Sequence, residues 1–168
     1  MPRLISLNAR TAAHAQATDR IPVTLTEIRH PELPEPIRLS SDPTVRLSTD
    51  PLRYGTRHKG QAYEFVLMGL PWPDDQRGSA PKTTLVFENV VADMAKPLRS
   101  ILSPPTADLT IVMADTPDVI EARYLKLKGT LGTWDASQIS LDASRESFAN
   151  EPMPSGRMSK ARFPGLFR

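Results

Sequence analysis

Seventeen prolines in 168 residues constrain this chain more than any other feature. Each ring fixes φ, removes an amide donor and pushes the residue before it out of helical geometry. At about twice ordinary usage, they exclude an all-helical bundle and a coiled coil. No run of 18 apolar residues occurs and the mean hydropathy is −0.33, so no membrane-spanning helix is expected. Hydrophobic residues make up 39%, enough for one lean core in a chain of one-domain length.

The chain has no cysteine. Disulfides, zinc–thiolate sites, iron–sulfur clusters and thiol nucleophiles are therefore excluded. Twenty-one Lys and Arg against nineteen Asp and Glu give a net charge of +2, with the signs well mixed. The last twelve residues differ, carrying Arg157, Lys160, Arg162 and Arg168 without an acid. Four charges fall short of the roughly six to ten phosphate contacts of DNA binders. An acidic partner is the better expectation, and nucleic acid is not expected. The opening Met1-Pro-Arg-Leu-Ile-Ser-Leu leads into polar residues rather than the apolar stretch of a signal peptide.

Hydrophobic periodicity divides the chain into three parts. Residues 1–20 read as an N-terminal helical extension, with an alanine-rich helix over Leu4 to Ala17 that has too few large side chains to anchor itself. Residues 21–143 read as an antiparallel β-sandwich or small barrel. Its strands are Ile21 to Ile28, the pieces Ile37-Arg-Leu-Ser and Val45-Arg-Leu-Ser read as a hairpin about Ser41-Asp42-Pro43, then Gln61 to Leu70, Thr83 to Val90, Ala107 to Ala114, Val119 to Gly129 and Gly132 to Ala143. A helix near 91–102 interrupts them, and Thr49 to Thr56 and Gly129-Thr-Leu-Gly132 read as turns. The expected core is Ile21, Val23, Leu25, Ile37, Leu39, Phe65, Leu67, Leu85, Phe87, Leu109, Ile111, Leu125, Leu127, Ile139 and Leu141. Residues 144–168 lack periodicity and read as an extended, proline-rich arm.

No catalytic constellation emerges, and a non-enzyme without cofactor or metal is expected. His14, His30 and His58 lack a second ligand at metal-binding spacing and read as surface histidines. Asp74-Asp75 reads as a solvated loop pair. Neither Ser79 nor Ser155 sits in a nucleophile elbow, and no glycine-rich phosphate loop exists. The arm is the unusual feature. Phe163, Pro164, Leu166 and Phe167, with Arg157 and Arg162, put large apolar groups and cations in a segment unable to form a helix or central strand. Such an arm either straps its own domain or docks on a neighbouring subunit.

Several segments together resemble a family of tailed-bacteriophage minor tail proteins, catalogued as a domain of unknown function. They are Glu27-Ile-Arg-His-Pro-Glu-Leu-Pro-Glu-Pro-Ile-Arg, Ala62-Tyr-Glu-Phe-Val-Leu-Met-Gly-Leu-Pro, Phe87-Glu-Asn-Val with Leu98-Arg-Ser-Ile, and Pro104-Pro-Thr-Ala-Asp-Leu-Thr-Ile-Val-Met-Ala followed by Asp115-Thr-Pro-Asp. The most specific is Asn150-Glu-Pro-Met-Pro followed by Arg162-Phe-Pro-Gly-Leu-Phe. The likeness spans nearly all of the chain after the N-terminal helix, whereas the alanine-rich Ser6–Ala17 segment departs from the family pattern. The resemblance implies a structural component of the virion's tail tip or baseplate, assembled in the host cytoplasm as a ring of three or six copies between tail tube and tip hub. It brings no catalytic or cofactor residue. A reading from another class is a small binding module that takes an acidic partner or glycan through its loops, with Trp72 and Tyr54 as stacking residues.

Overall fold

The computed structural model describes residues 5–69, 72–73, 82–88, 101, 103–135, 138–145, 159 and 162–166. Among these the protein is mainly β, with one short α-helix. The helix α1 (Leu7–His14) precedes β1 (Pro22–Arg29), β2 (Ile37–Ser40), β3 (Val45–Thr49), β4 (Leu52–His58) and β5 (Gln61–Phe65). Then come β6 (Leu67–Gly69), β7 (Lys82–Glu88), β8 (Thr106–Met113), β9 (Thr116–Trp134) and β10 (Gln138–Ser144). They form one sheet in the order β3-β4-β5-β2-β1-β8-β9-β10-β7-β6. The helix expected near 91–102 lies outside the described residues, apart from a buried Ile101.

One residue turns this sheet into a closed shape. β5 and β6 stand far apart in the strand order, yet only Val66 separates them along the chain. β5 pairs with β2, and β6 pairs with β7. The sheet must therefore curl until residues 61–69 bridge β2 and β7, which makes a barrel of seven strand positions. The Val66 amide continues the β2 pairing by donating to the Ser40 carbonyl at 3.0 Å. Its side chain enters the interior with Ile28, Leu39, Leu85, Phe87, Leu109 and Leu127.

The β2–β5 pair is parallel, the exception in an otherwise antiparallel sheet. It also replaces an expected hairpin. Ile37–Ser40 and Val45–Ser48 do not pair with one another; β2 lies between β1 and β5, and β3 pairs with β4. At the crossing, the buried Asp42 accepts from the amide and the hydroxyl of Thr44. This Asx turn about Pro43 sends the chain away from β2 rather than back along it.

A second layer covers part of the barrel's outer face. β4 and β5 form a hairpin with a two-residue turn, in which Lys59 and Gly60 have φ of 48° and 79°. Both signs match the hairpin turn whose twist suits paired strands. Tyr63 from this hairpin packs with Val23, Leu25 and Val112 in a small core of its own. Ser40 Oγ meets Thr56 Oγ1 at 2.8 Å beneath it. At its tip, the Lys59 amide donates to Asp118 Oδ1 at 2.6 Å. Thus Val23 and Leu25 are buried as expected, but Thr24 and Thr26 on the opposite side of β1 are buried too, because β1 is covered on both faces.

Four expected core residues correct the strand phases. Ile21 is exposed because β1 begins only at Pro22. Leu67 is exposed and Phe65 half-buried, because Val66 is the residue that enters the barrel. Leu125 is exposed because of a bulge: Ala107 faces Leu127 and Leu109 faces Tyr124, so Leu125 and Lys126 together stand opposite Asp108. That insertion turns both Tyr124 and Leu127 inward and Leu125 outward. Nor does Gly129-Thr-Leu-Gly132 break the chain, since β9 runs through it. A Cβ on Gly129 would come within 3.1 Å of Leu141 and Pro105, so this glycine serves packing, and the turn comes later, at Asp135–Gln138.

Candidate functional site

The outer faces of β2, β1, β8 and β9 carry a row of charges set by strand register. Arg38 stands opposite Glu27, and Glu27 opposite Asp108. Arg29 reaches Glu27 at 2.8 Å and Asp108 at 3.1 Å, and Arg38 reaches Glu27 at 3.5 Å. The hydrogen bond to Glu27, assisted by the charges of Glu27 and Asp108 and opposed by burial, raises the Arg29 pKa above the ordinary guanidinium value. Asp108 is only 7% exposed and binds more than Arg29. It accepts from the Lys126 amide at 2.8 Å, and Lys126 has φ of 57°. A left-handed conformation costs a non-glycine residue about 1–2 kcal/mol, so this carboxylate stabilises the bulge. Asp118 holds the amide of the other left-handed lysine, Lys59, in the same way.

Beside this row, Arg29, Asp108, Arg123, Leu125, Lys126 and Lys128 line a concavity of 640 Å³. Of these residues the sequence pattern marked only Leu125, and it marked it as core. The run Arg123-Tyr-Leu-Lys-Leu-Lys carried a signal, cations repeating along a strand, but its union with Arg29 depends on pairing across β8.

Tyr63 borders the row. Burial, then the negative charge of Glu27, raises its phenol pKa above the usual value, against the nearby cations. The ionised phenol is thus disfavoured in the folded protein. The resulting stability is fully present below the ordinary tyrosine pKa of about 10. It is lost as pH rises through the higher folded value. In an ultraviolet titration, the wild-type minus Tyr63→Phe difference should show phenolate absorbance appearing only above the ordinary tyrosine range. A midpoint at or below about 10 would show Tyr63 to be solvated.

A second concavity lies where α1 meets the barrel. Ser6 caps the helix by accepting from the Ala9 amide at 3.1 Å. It also binds the buried Glu121 twice, its amide donating at 2.8 Å and its hydroxyl at 2.5 Å. A helix without large anchoring side chains is thus seated by one carboxylate of β9. Between α1 and the barrel is a mostly apolar cavity of 390 Å³, lined by Ala9, Ala12, Trp72, Ile111, Met113 and Tyr124 among others.

Two histidines read as surface residues are buried clips. His30 Nδ1 accepts from the Glu32 amide at 3.1 Å, so Nε2 carries the hydrogen toward Ser103 Oγ, 2.6 Å away. His58 Nδ1 donates to the Pro117 carbonyl at 2.6 Å and sets its ring edge-on to Tyr63. His14 ends α1 and is exposed. No group of three or more His, Asp or Glu that could hold a metal ion occurs among the described residues. Trp72 and Tyr54 are both exposed, but Tyr54 lies within β4 rather than in a turn. Asp74, Asp75, Ser79 and Ser155 lie outside the described residues.

Of the arm, residues 159 and 162–166 are described. Arg162, Phe163, Pro164 and Gly165 are all exposed, Phe163 by 45%. Pro164–Leu166 forms one turn of 3₁₀ helix, and the amides of Arg162 and Phe163 both donate to the Ser159 carbonyl. Arg157 and Phe167 lie outside the described residues. The chain matches no protein-family model, and a comparison with curated proteins returns no match.

Proposed function

We propose that this protein is a structural subunit of a bacteriophage tail tip. In this reading, three or six copies form a ring between tail tube and hub, and the C-terminal arm reaches a neighbouring subunit. The observation that carries the reading is Phe163, a large apolar group 45% exposed inside the segment Arg162-Phe-Pro-Gly-Leu-Phe that most specifically resembles the tail family. The amides of Arg162 and Phe163 bond locally, to the Ser159 carbonyl. Prolines 152, 154 and 164 restrict the unbound arm and lower the cost of ordering it on a partner. A ring also suits a head-to-tail contact, which avoids open filaments only when its rotation closes. No catalytic role, cofactor or metal is part of this proposal.

Truncation tests the arm directly. Deleting residues 157–168 should leave a folded protein whose melting temperature is within a few degrees of the full chain, yet remove it from assembled tails. Unfolding or aggregation of the truncated protein, with a stable monomeric full-length chain, would make the arm a strap on its own core. Absence of the full-length protein from purified virions would overturn the tail reading itself.

A further inference from the structure

We infer that the outer face of β2, β1, β8 and β9 is a docking surface for an acidic segment of a partner protein that also carries apolar side chains. This rests on the geometry of the face and not on the tail-tip reading.

Charge is the first argument. Arg29, Arg38, Arg123, Lys126 and Lys128 share this face with the carboxylates Glu27 and Asp108, and Glu32 stands near His30 at its rim. Five cations against three carboxylates leave an excess of two, equal to the formal surplus of the whole chain. Among the described residues, this face thus carries a local surplus of positive charge.

Backbone geometry is the second argument. A bulge that needs a left-handed residue would ordinarily use glycine. Here it holds Lys126, kept in place by a bond from its amide to the buried Asp108. The carboxylate thereby stabilises a conformation that places a cation, rather than a bare turn, beside the concavity.

Composition of the face selects the partner. Leu125, 40% exposed, lies among the cations because the bulge turned it outward, and the apolar ring of Pro31 adjoins the same concavity. An apolar spot framed by cations fits carboxylates and apolar side chains on one peptide. Nucleic acid fits less well. The cations are fewer than the roughly six to ten phosphate contacts of DNA binders, and Tyr63, the aromatic bordering this face, is buried and not available for base stacking.

The test uses the full-length protein and a fluorescein-labelled peptide of glutamates interspersed with leucines, read by fluorescence anisotropy at physiological salt. Saturable binding is expected. Arg123→Glu with Lys126→Glu should weaken it at least about tenfold. Arg46→Glu with Arg57→Glu, an equal charge change on the exposed β3–β4 hairpin, should alter it less than about twofold. Lys126→Gly removes one cation while easing the backbone, so it should weaken binding with a melting temperature no lower than wild type. Three results would overturn the inference: no saturable binding, equal loss in both double variants, or tighter patch-dependent binding of a single-stranded oligonucleotide than of the peptide.

Discussion

Replacing Phe87 with alanine should lower the unfolding free energy by about 3–5 kcal/mol, measured by urea denaturation. Phe87 is 1% exposed and belongs to the main core. Its place in the sheet makes it more than one packed ring among several. It stands opposite Ile139 on β10 and Met68 on β6, at the short ladder that closes the barrel. Truncation leaves a cavity that neither ladder can collapse into without disturbing the other. A loss within about 0.5 kcal/mol, the range of surface substitutions, would mean that β7 presents its other face to the core.

The second large effect comes from the smallest side chain. A Cβ on Gly55 would lie 1.9 Å from the Tyr63 carbonyl oxygen and 2.9 Å from Leu47. The nearest obstacle is backbone, so no rotamer change relieves it. Gly55→Ala should therefore force β4 away from β5 and cost about 3 kcal/mol, the upper part of the usual range for overpacking. Because Tyr63 and Thr56 belong to the same hairpin, the small core with Val23, Leu25 and Val112 and the Ser40–Thr56 bond should loosen together. Increased quenching of tyrosine fluorescence by acrylamide, alongside the stability loss, would report this. A cost below about 1 kcal/mol would show that the hairpin shifts freely over the barrel.

The two substitutions probe different layers. Phe87 tests the barrel interior, and Gly55 tests the hairpin lying over its outer face. Their effects should be nearly additive if the layers are independent. A coupling above about 0.5 kcal/mol would show that the cover helps to set the curl of the sheet. The charged row lies between these regimes, since burial and then the negative charge of Glu27 raise the pKa of the Tyr63 phenol. The stability contributed there falls at high pH, when Tyr63 would have to ionise.

Local sequence determined what local physics controls. Alternating β-branched and apolar residues placed strands at β1, β7, β8 and β10, and the alanine-rich segment placed α1. A cysteine-free chain excluded thiolate chemistry. These features depend on a side-chain period of two or 3.6 and on the φ preferences of single residues, all read within a few positions. Tertiary structure alone decided which strands became neighbours. Nothing within Ile37–Ser40 indicates that it pairs in parallel with Glu64 and Phe65 instead of forming a hairpin with Val45–Ser48. Nothing within Arg123–Lys128 indicates that Leu125 turns outward, because the bulge exists only where Asp108 of β8 captures the Lys126 amide. The charged face was hidden for the same reason: its members come from four strands, joined only by register. Whether Val66 or its neighbours Phe65 and Leu67 would fill the barrel followed from closure. A strand that leaves β2 and joins β7 within one residue has only that residue to turn inward.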